Sequence, residues 1–248
     1  MTQQAAHFTH SDEHLKAEAA YDLDQVLEPV EAHQATCGRI LFERAMIKAV
    51  IEDRPQIATR ALNEALEAEL SPNTLSATLV DVCAHVFRLV YHDTPHHAHS
   101  HNAQILEDTL EQLQRLNQDG PTGALGTVLL GNAWLDYHDM GRRIIATALR
   151  ATGYRVLDLG LSVSNQRFVE VALAEGASVI VVSTLLRHTA RHLPALRDAL
   201  TQRGRTDISL IAGGAPFLKL PGFNTLYDVD GVSFDPSSTV HLVSQLCH

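Results

Sequence analysis

The sequence predicts an α/β fold: a parallel, doubly wound sheet preceded by an all-helical region. Three observations carry this. After residue 126, short apolar runs that read as buried strands alternate with stretches at helical spacing. Strands separated by single helices imply a parallel sheet with helices on both faces. Before residue 119 the pattern is helical throughout, and the two halves meet at Asp119-Gly120-Pro121-Thr122-Gly123, which reads as a linker. The chain therefore divides into a polar, acidic N-terminal extension (1–35), a helical bundle (36–118), a linker (119–126) and an α/β domain (127–248).

In order, the elements are these. The extension carries Asp12, Glu13, Asp22, Asp24, Glu28 and Glu31 and reads as a partly ordered tail or an extra helix. Ile40 to Glu52 is the first helix of the bundle. Pro55 opens a second, running to Glu69, because proline suits a first helical turn. Ser71-Pro72 supplies an N-cap and a proline at N1 for a third, running to about Tyr91. Asn102 to Leu116 is the fourth, and four such helices suggest a bundle. Strands then follow at Thr127 to Leu130, Tyr154 to Gly160, Ser178 to Val182, Ile208 to Ala212 and Gly231 to Phe234. Helices are expected from Arg142 to Leu149, Asn165 to Glu175, His188 to Arg203 and Ser237 to Leu246.

The richest stretch is Asp136-Tyr137-His138-Asp139-Met140-Gly141, between the first strand and its helix. Ligands of open α/β sheets gather at the carboxyl ends of strands. An aspartate two residues before a histidine can accept the proton of one ring nitrogen, leaving the other lone pair for a metal. Gly141 keeps a side chain away from a bulky group at the helix start. Two more strand ends carry short motifs: Ser183-Thr184-Leu185-Leu186 and Gly213-Gly214-Ala215-Pro216.

In order and spacing, D-x-H-x-x-G, S-x-L and G-G resemble the cobalamin-binding domain of the methionine synthase and corrinoid methyl-carrier family. The resemblance covers Thr127 to His248. It implies a flavodoxin-like (Rossmann-like) fold that binds vitamin B12 with its lower base displaced. His138 would replace that base as the lower axial ligand of cobalt. Asp136 would hydrogen-bond the far nitrogen of His138, and Thr189 would continue the relay. Ser183 would bond the displaced benzimidazole, and Leu185 would line its pocket. Gly141, Gly213 and Gly214 would let the nucleotide tail thread the sheet. Asp139, inside the first motif, is counted with the cofactor-binding residues.

The family also has a helical cap over the upper corrin face, and Ala45 to Leu79 resembles it in register. Carriers usually show Met-x-x-Val-Gly-x-x-Phe there, where this chain has Ala84, Phe87, Arg88 and Tyr91. Phe87 and Tyr91, one turn apart, would shield the ring. B12 photoreceptors use a Trp, nine residues, then Glu-His; Tyr91 with His101-Asn102 occupies that frame without matching it. Between the third and fourth helices lie His85, His92, His96, His97, His99 and His101. They read as a solvated loop, as a metal site built on pairs such as His92/His96 and His97/His101, or as contacts to the upper ligand or a second tetrapyrrole (heme or bilin).

A formal charge of -10 argues against nucleic-acid binding by charge steering. Three cysteines without metal-ligand spacing suggest a reducing cytoplasm. No signal peptide and no membrane-spanning run are expected. Neither a nucleophile–base pair nor a phosphate loop is recognisable, so the chain is not expected to be an enzyme by itself. Arg142, Arg143, Arg187 and His188 fall near the expected cofactor edge. Two roles remain. One is a stand-alone B12 sensor, with light as one signal it would read, reporting through a regulator or a change of homo-oligomer. The other is a methyl carrier serving partner methyltransferases. The altered cap tilts the reading toward the sensor, and B12 storage or trafficking stays open.

Overall fold

The structure is a computed structural model that describes residues 34–89, 101–116, 123, 125–217 and 227–247. Residues 1–33 of the expected extension, most of the expected linker, Tyr91, and His92, His96, His97 and His99 lie outside the described residues, as does the side chain of His101.

Four helices come first: α1 (Gln34–Ile51), α2 (Pro55–Glu67), α3 (Pro72–Arg88) and α4 (His101–Leu116). α1 begins before the expected Ile40 because its first turns, Gln-Ala-Thr-Cys-Gly-Arg, are polar or small and show no apolar period. Pro55 and Pro72 both sit at helix starts, and the Ser71 hydroxyl accepts from Thr74 N at 3.1 Å, as the sequence predicts.

The α/β part runs β1 (Thr127–Asn132), α5 (Asp139–Thr152), β2 (Arg155–Asp158), α6 (Asn165–Glu175), β3 (Val179–Ser183), α7 (Arg187–Ala190), α8 (Leu193–Gln202), β4 (Ser209–Gly213), β5 (Gly231–Ser233) and α9 (Pro236–Leu246). The strands are all parallel in the order β2-β1-β3-β4-β5. This is the flavodoxin-like order, whose ligand crevice falls where the winding reverses, between β1 and β3. Their Val- and Leu-rich sequences suit strands covered on both faces. Ile145 and Leu149 of α5 and Val243 of α9 cover Val128, Val181 and Ile211 on one side. Phe168 of α6 and Leu196 of α8 pack with Leu129 and Ile180 on the other. α9 is held at its start by a capping box between Asp235 and Ser238.

The single helix expected from His188 to Arg203 is two pieces, α7 and α8. Pro194 near the start of α8 explains the break, since it has no N–H to give and its ring crowds the carbonyl one turn back. The helix expected to open at Arg142 starts earlier, at Asp139, which makes His138 its N-cap residue.

The four leading helices do not form a closed bundle of their own. Their core, including Met46, Leu79 and Leu106, continues into Met140, Ile144 and Ala148 on the outer face of α5. A charged clamp reinforces this joint. Arg143 Nε and Nη2 donate to the two carboxylate oxygens of Glu107 at 2.8 and 2.6 Å, and Nη2 also reaches Gln104 Oε1 at 2.8 Å. Bidentate pairing of this kind fixes orientation as well as adding energy. Among the described residues no helix is long and apolar enough to cross a membrane.

Ile144 is fully buried in this shared core. Ile144→Ala is therefore expected to lower stability by about 2–5 kcal/mol. It should also shift one common unfolding transition, because the helical layer and the sheet share that core. Denaturant unfolding followed by circular dichroism and by Trp134 fluorescence would check both points; separated transitions for the two probes would contradict the shared core.

Candidate cofactor-binding site

Asp136 organises the end of β1. It is wholly buried. One carboxylate oxygen, Oδ1, accepts from the backbone N–H of His138 at 3.0 Å and from Asn132 Nδ2 at 3.2 Å, and lies 2.9 Å from His138 Nδ1. The other, Oδ2, accepts from Leu185 N at 2.6 Å and from the Thr189 hydroxyl at 3.3 Å. A carboxylate offers about four lone-pair positions, so this one is saturated by protein. Burial pushes its pKa up, but hydrogen bonds from Leu185 N–H and then from His138 outweigh that and hold the carboxyl below its usual range.

The ring follows from the carboxylate. An ionised Asp136 can only accept, so Nδ1 of a neutral His138 carries the proton and Nε2 presents a lone pair. The His138 side chain is about half exposed, 48%. Asn132 fixes the backbone as well, donating from Nδ2 to the His138 carbonyl at 3.0 Å. The Asp136–Leu185 bond spans β1 and β3, the strands on either side of the switch point.

Around this brace lies a slot lined by His138, Gly141, Ser183, Leu185, Gly213 and Gly214, with Ile145, Ala215, Phe87 and Phe234 also at its walls. The three sequence motifs therefore meet in one place, joined there by Phe87 from α3. Thr189 stands behind the slot, on Asp136, and its hydroxyl also contacts Thr184 Oγ1 and the Leu186 carbonyl. Asp139 takes a different place. It is half-buried in the first turn of α5, 4.0 Å from Arg143, and suits the positive end of the helix dipole rather than the slot wall. Of the two glycines closing β4, Gly214 has a φ of +121° and a Cβ there would fall 1.8 Å from the Thr184 carbonyl oxygen. Its absence of a side chain is thus demanded by the neighbouring strand end, beyond any need of a ligand.

Two of the cationic residues expected at the cofactor edge are occupied elsewhere. Arg142 is buried and ion-paired with Asp158, and Arg143 is held by Glu107. Arg187 and His188 are exposed, as expected of a solvated helix start. Sequence reasoning missed Asn132, the Leu185 N–H and Thr184. A backbone donor leaves no trace in residue identity, and only Asn132, a polar residue closing an apolar strand, offered a signal.

A rim of exposed apolar side chains surrounds the slot at the carboxyl edge of the sheet: Trp134, Leu135, Tyr137, Leu161, Leu186 and Phe234. Leu135 sits at φ +66° and Ser162 at +49°, joined by a bond from Leu135 N to the Ser162 hydroxyl. Non-glycine residues there are strained by roughly 1–2 kcal/mol each, a cost that gathers at functional sites. The apolar rim, the glycine-walled slot, the buried donors and the outward imidazole nitrogen fit a large, flat, metal-bearing ligand with a tail.

A doubly wound domain with such a crevice at its switch point offers a ligand site at the carboxyl edge of its sheet. Residues 126–240 match the family model of the B12 binding domain. It is 34% identical over 106 residues to dimethylamine corrinoid protein 2 of Methanosarcina mazei, covering 41% of this chain and 50% of that protein. It is 31% identical over 114 residues to trimethylamine corrinoid protein 2 of Methanosarcina acetivorans, covering 46% and 50%. The chain thus spans about half the length of the curated relatives it matches. In fold it is similar to a cobalamin-binding protein from Desulfitobacterium hafniense (TM-score 0.59, 18% identity, 83% of this chain and 98% of that one). It is also similar to the methanol:cobalamin methyltransferase complex of Methanosarcina barkeri (TM-score 0.57, 21% identity, 98% and 94%).

Asp136→Asn keeps the shape but removes the charge that five donors surround. It is expected to lower the stability of the corrinoid-free protein by about 1–3 kcal/mol near neutral pH. The folded pKa of Asp136 is depressed, so its contribution is present above the unfolded value near 3.9 and is lost as pH falls through the lower folded value. Denaturant titrations of both proteins between neutrality and pH 3 should show the difference shrinking at the acid end.

Proposed function

We propose that the chain holds a corrinoid base-off, with His138 as the lower axial ligand of cobalt, and that it serves a partner methyltransferase as a methyl carrier. The observation that carries the first part is the Asp136 brace: an ionised, saturated carboxylate turns His138 so that Nε2 is free to coordinate. Metal-ligating histidines commonly donate their other nitrogen to a carboxylate in this way, which raises their basicity. Ser183 and Leu185, with Gly141, Gly213 and Gly214, line the space for the nucleotide tail, and Thr189 continues the relay from Asp136. When bound, the corrinoid supplies the cobalt chemistry of methyl transfer. The protein binds, orients the ring ligand and stores a proton at the Asp136–His138 pair.

The carrier role is favoured by the relatives, which are named as methylamine corrinoid proteins. The open apolar rim suits a site that a partner must reach. The sensor reading, with a photoreceptor's response to light, draws on a different observation. The helical layer shares a core with α5 and sends Phe87 to the slot wall, a direct mechanical route from the site to the outer helices. Methyl transfer on adding a methyltransferase supports the carrier. A light-dependent change of assembly, followed by size-exclusion before and after illumination, supports the sensor.

His138→Ala is expected to leave the fold intact, because the ring is at the surface edge of the site. The absorption spectrum of bound hydroxocobalamin should change as coordination changes. An unaltered spectrum would remove His138 from cobalt.

A further inference from the structure

Two buried polar groups beside the slot lie outside the three motifs. Asn132, Ser183, Gly213 and Ser233 are paired in direct register across β1, β3, β4 and β5, so they form one rung. Side chains on a strand alternate between faces. The rung therefore lies on the same face as Leu130, Val181 and Ile211, which pack toward α5 and α9. It is the first polar or side-chain-free row beyond that apolar core. Its two ends carry buried polar atoms without a hydrogen-bond partner: Asn132 Oδ1 and Ser233 Oγ. Ser233 is 1% exposed. A Cβ on Gly213 would come within 2.9 Å of its hydroxyl, so at Gly213, which lines the slot, no side chain separates the slot from that buried group. Gly213 and Phe234, its partner across the ladder and its chain neighbour, both line the slot.

A buried hydroxyl left unpaired costs about 1–3 kcal/mol. Alanine at the same position would avoid that cost, and the strand would lose nothing it uses. We propose that Ser233 is a further binding residue for the corrinoid's nucleotide tail, its Oγ–H making a hydrogen bond to a polar atom of that tail lying over Gly213. This rests on the corrinoid reading above and adds to it a group outside the three motifs. Ser183 and Ser233 then flank Gly213 as two hydroxyls on one rung, between which a tail with hydrogen-bonding atoms is held and an apolar tail is disfavoured. The contact is specific to the tail and takes no part in coordination of cobalt.

The test compares cobalamin with cobinamide, which lacks the nucleotide tail, on the wild-type chain and on Ser233→Ala. Binding is followed by absorption titration and stability by thermal unfolding of the corrinoid-free proteins. Ser233→Ala should bind cobalamin about 3- to 10-fold more weakly, the worth of one neutral hydrogen bond. Its cobinamide affinity should be unchanged, and its melting temperature equal to or above that of the wild type. Equal cobalamin affinity in the two proteins would overturn the proposal. So would a parallel loss for cobinamide, or a lowered melting temperature with both affinities reduced, since these mark a structural role. A wild-type chain that binds neither compound would overturn the corrinoid reading itself, and this inference with it.

Discussion

Asp136 is a carboxylate without solvent contact, and the groups around it are donors or a ring nitrogen made into one. Five contacts converge on its two oxygens, from Asn132, from both the backbone and the ring of His138, from Leu185 and from Thr189. A buried charge is costly unless it is fully hydrogen-bonded. Once that condition is met, the same bonds fix the neighbours. They set the ring orientation of His138, tie the end of β1 to the end of β3, and hold the loop between Thr184 and Thr189 against the sheet. The remainder of the site is arranged around this one charge.

The sheet supplies the place for it. Reversal of winding between β1 and β3 opens a crevice at their carboxyl ends, and the first helix after the crevice, α5, begins at the residue following His138. α5 has a second task on its outer face, where Met140, Ile144 and Ala148 complete the core of the helical layer. The clamp from Arg143 to Glu107 sits in the first turns of the same helix. The imidazole, the slot and the outer helices thus share one rigid element, so a displacement of the helical layer bears directly on the residue proposed to meet cobalt.

Much of this was legible in the sequence, for physical reasons. Alternating buried strands and helices gave the doubly wound sheet because two-sided burial leaves continuous apolar runs. Three short motifs at successive strand ends converge on one slot because parallel strands all deliver their carboxyl ends to the same edge. What could not be read had no periodic signal. The polar first turns of α1 hid its start, and Pro194 divides a helix whose leucine spacing looks continuous. Arg142 and Arg143 read as solvated or ligand-facing, yet their partners Asp158 and Glu107 are distant in sequence and meet them only through the fold. Ser233 gained meaning only from strand register, which places it on one rung with Ser183.

Coordination by His138 depends on the protonation of one ring. With the histidines labelled with nitrogen-15, two-bond proton–nitrogen correlation spectra of the corrinoid-free protein near neutral pH would report which nitrogen of His138 bears the proton, with His138→Ala assigning the signal. The Asp136 brace predicts the Nδ1–H tautomer, with an unprotonated Nε2, and its loss in Asp136→Asn. A His138 found with its proton on Nε2 would contradict it, because the nitrogen proposed to meet cobalt would then have no lone pair to offer.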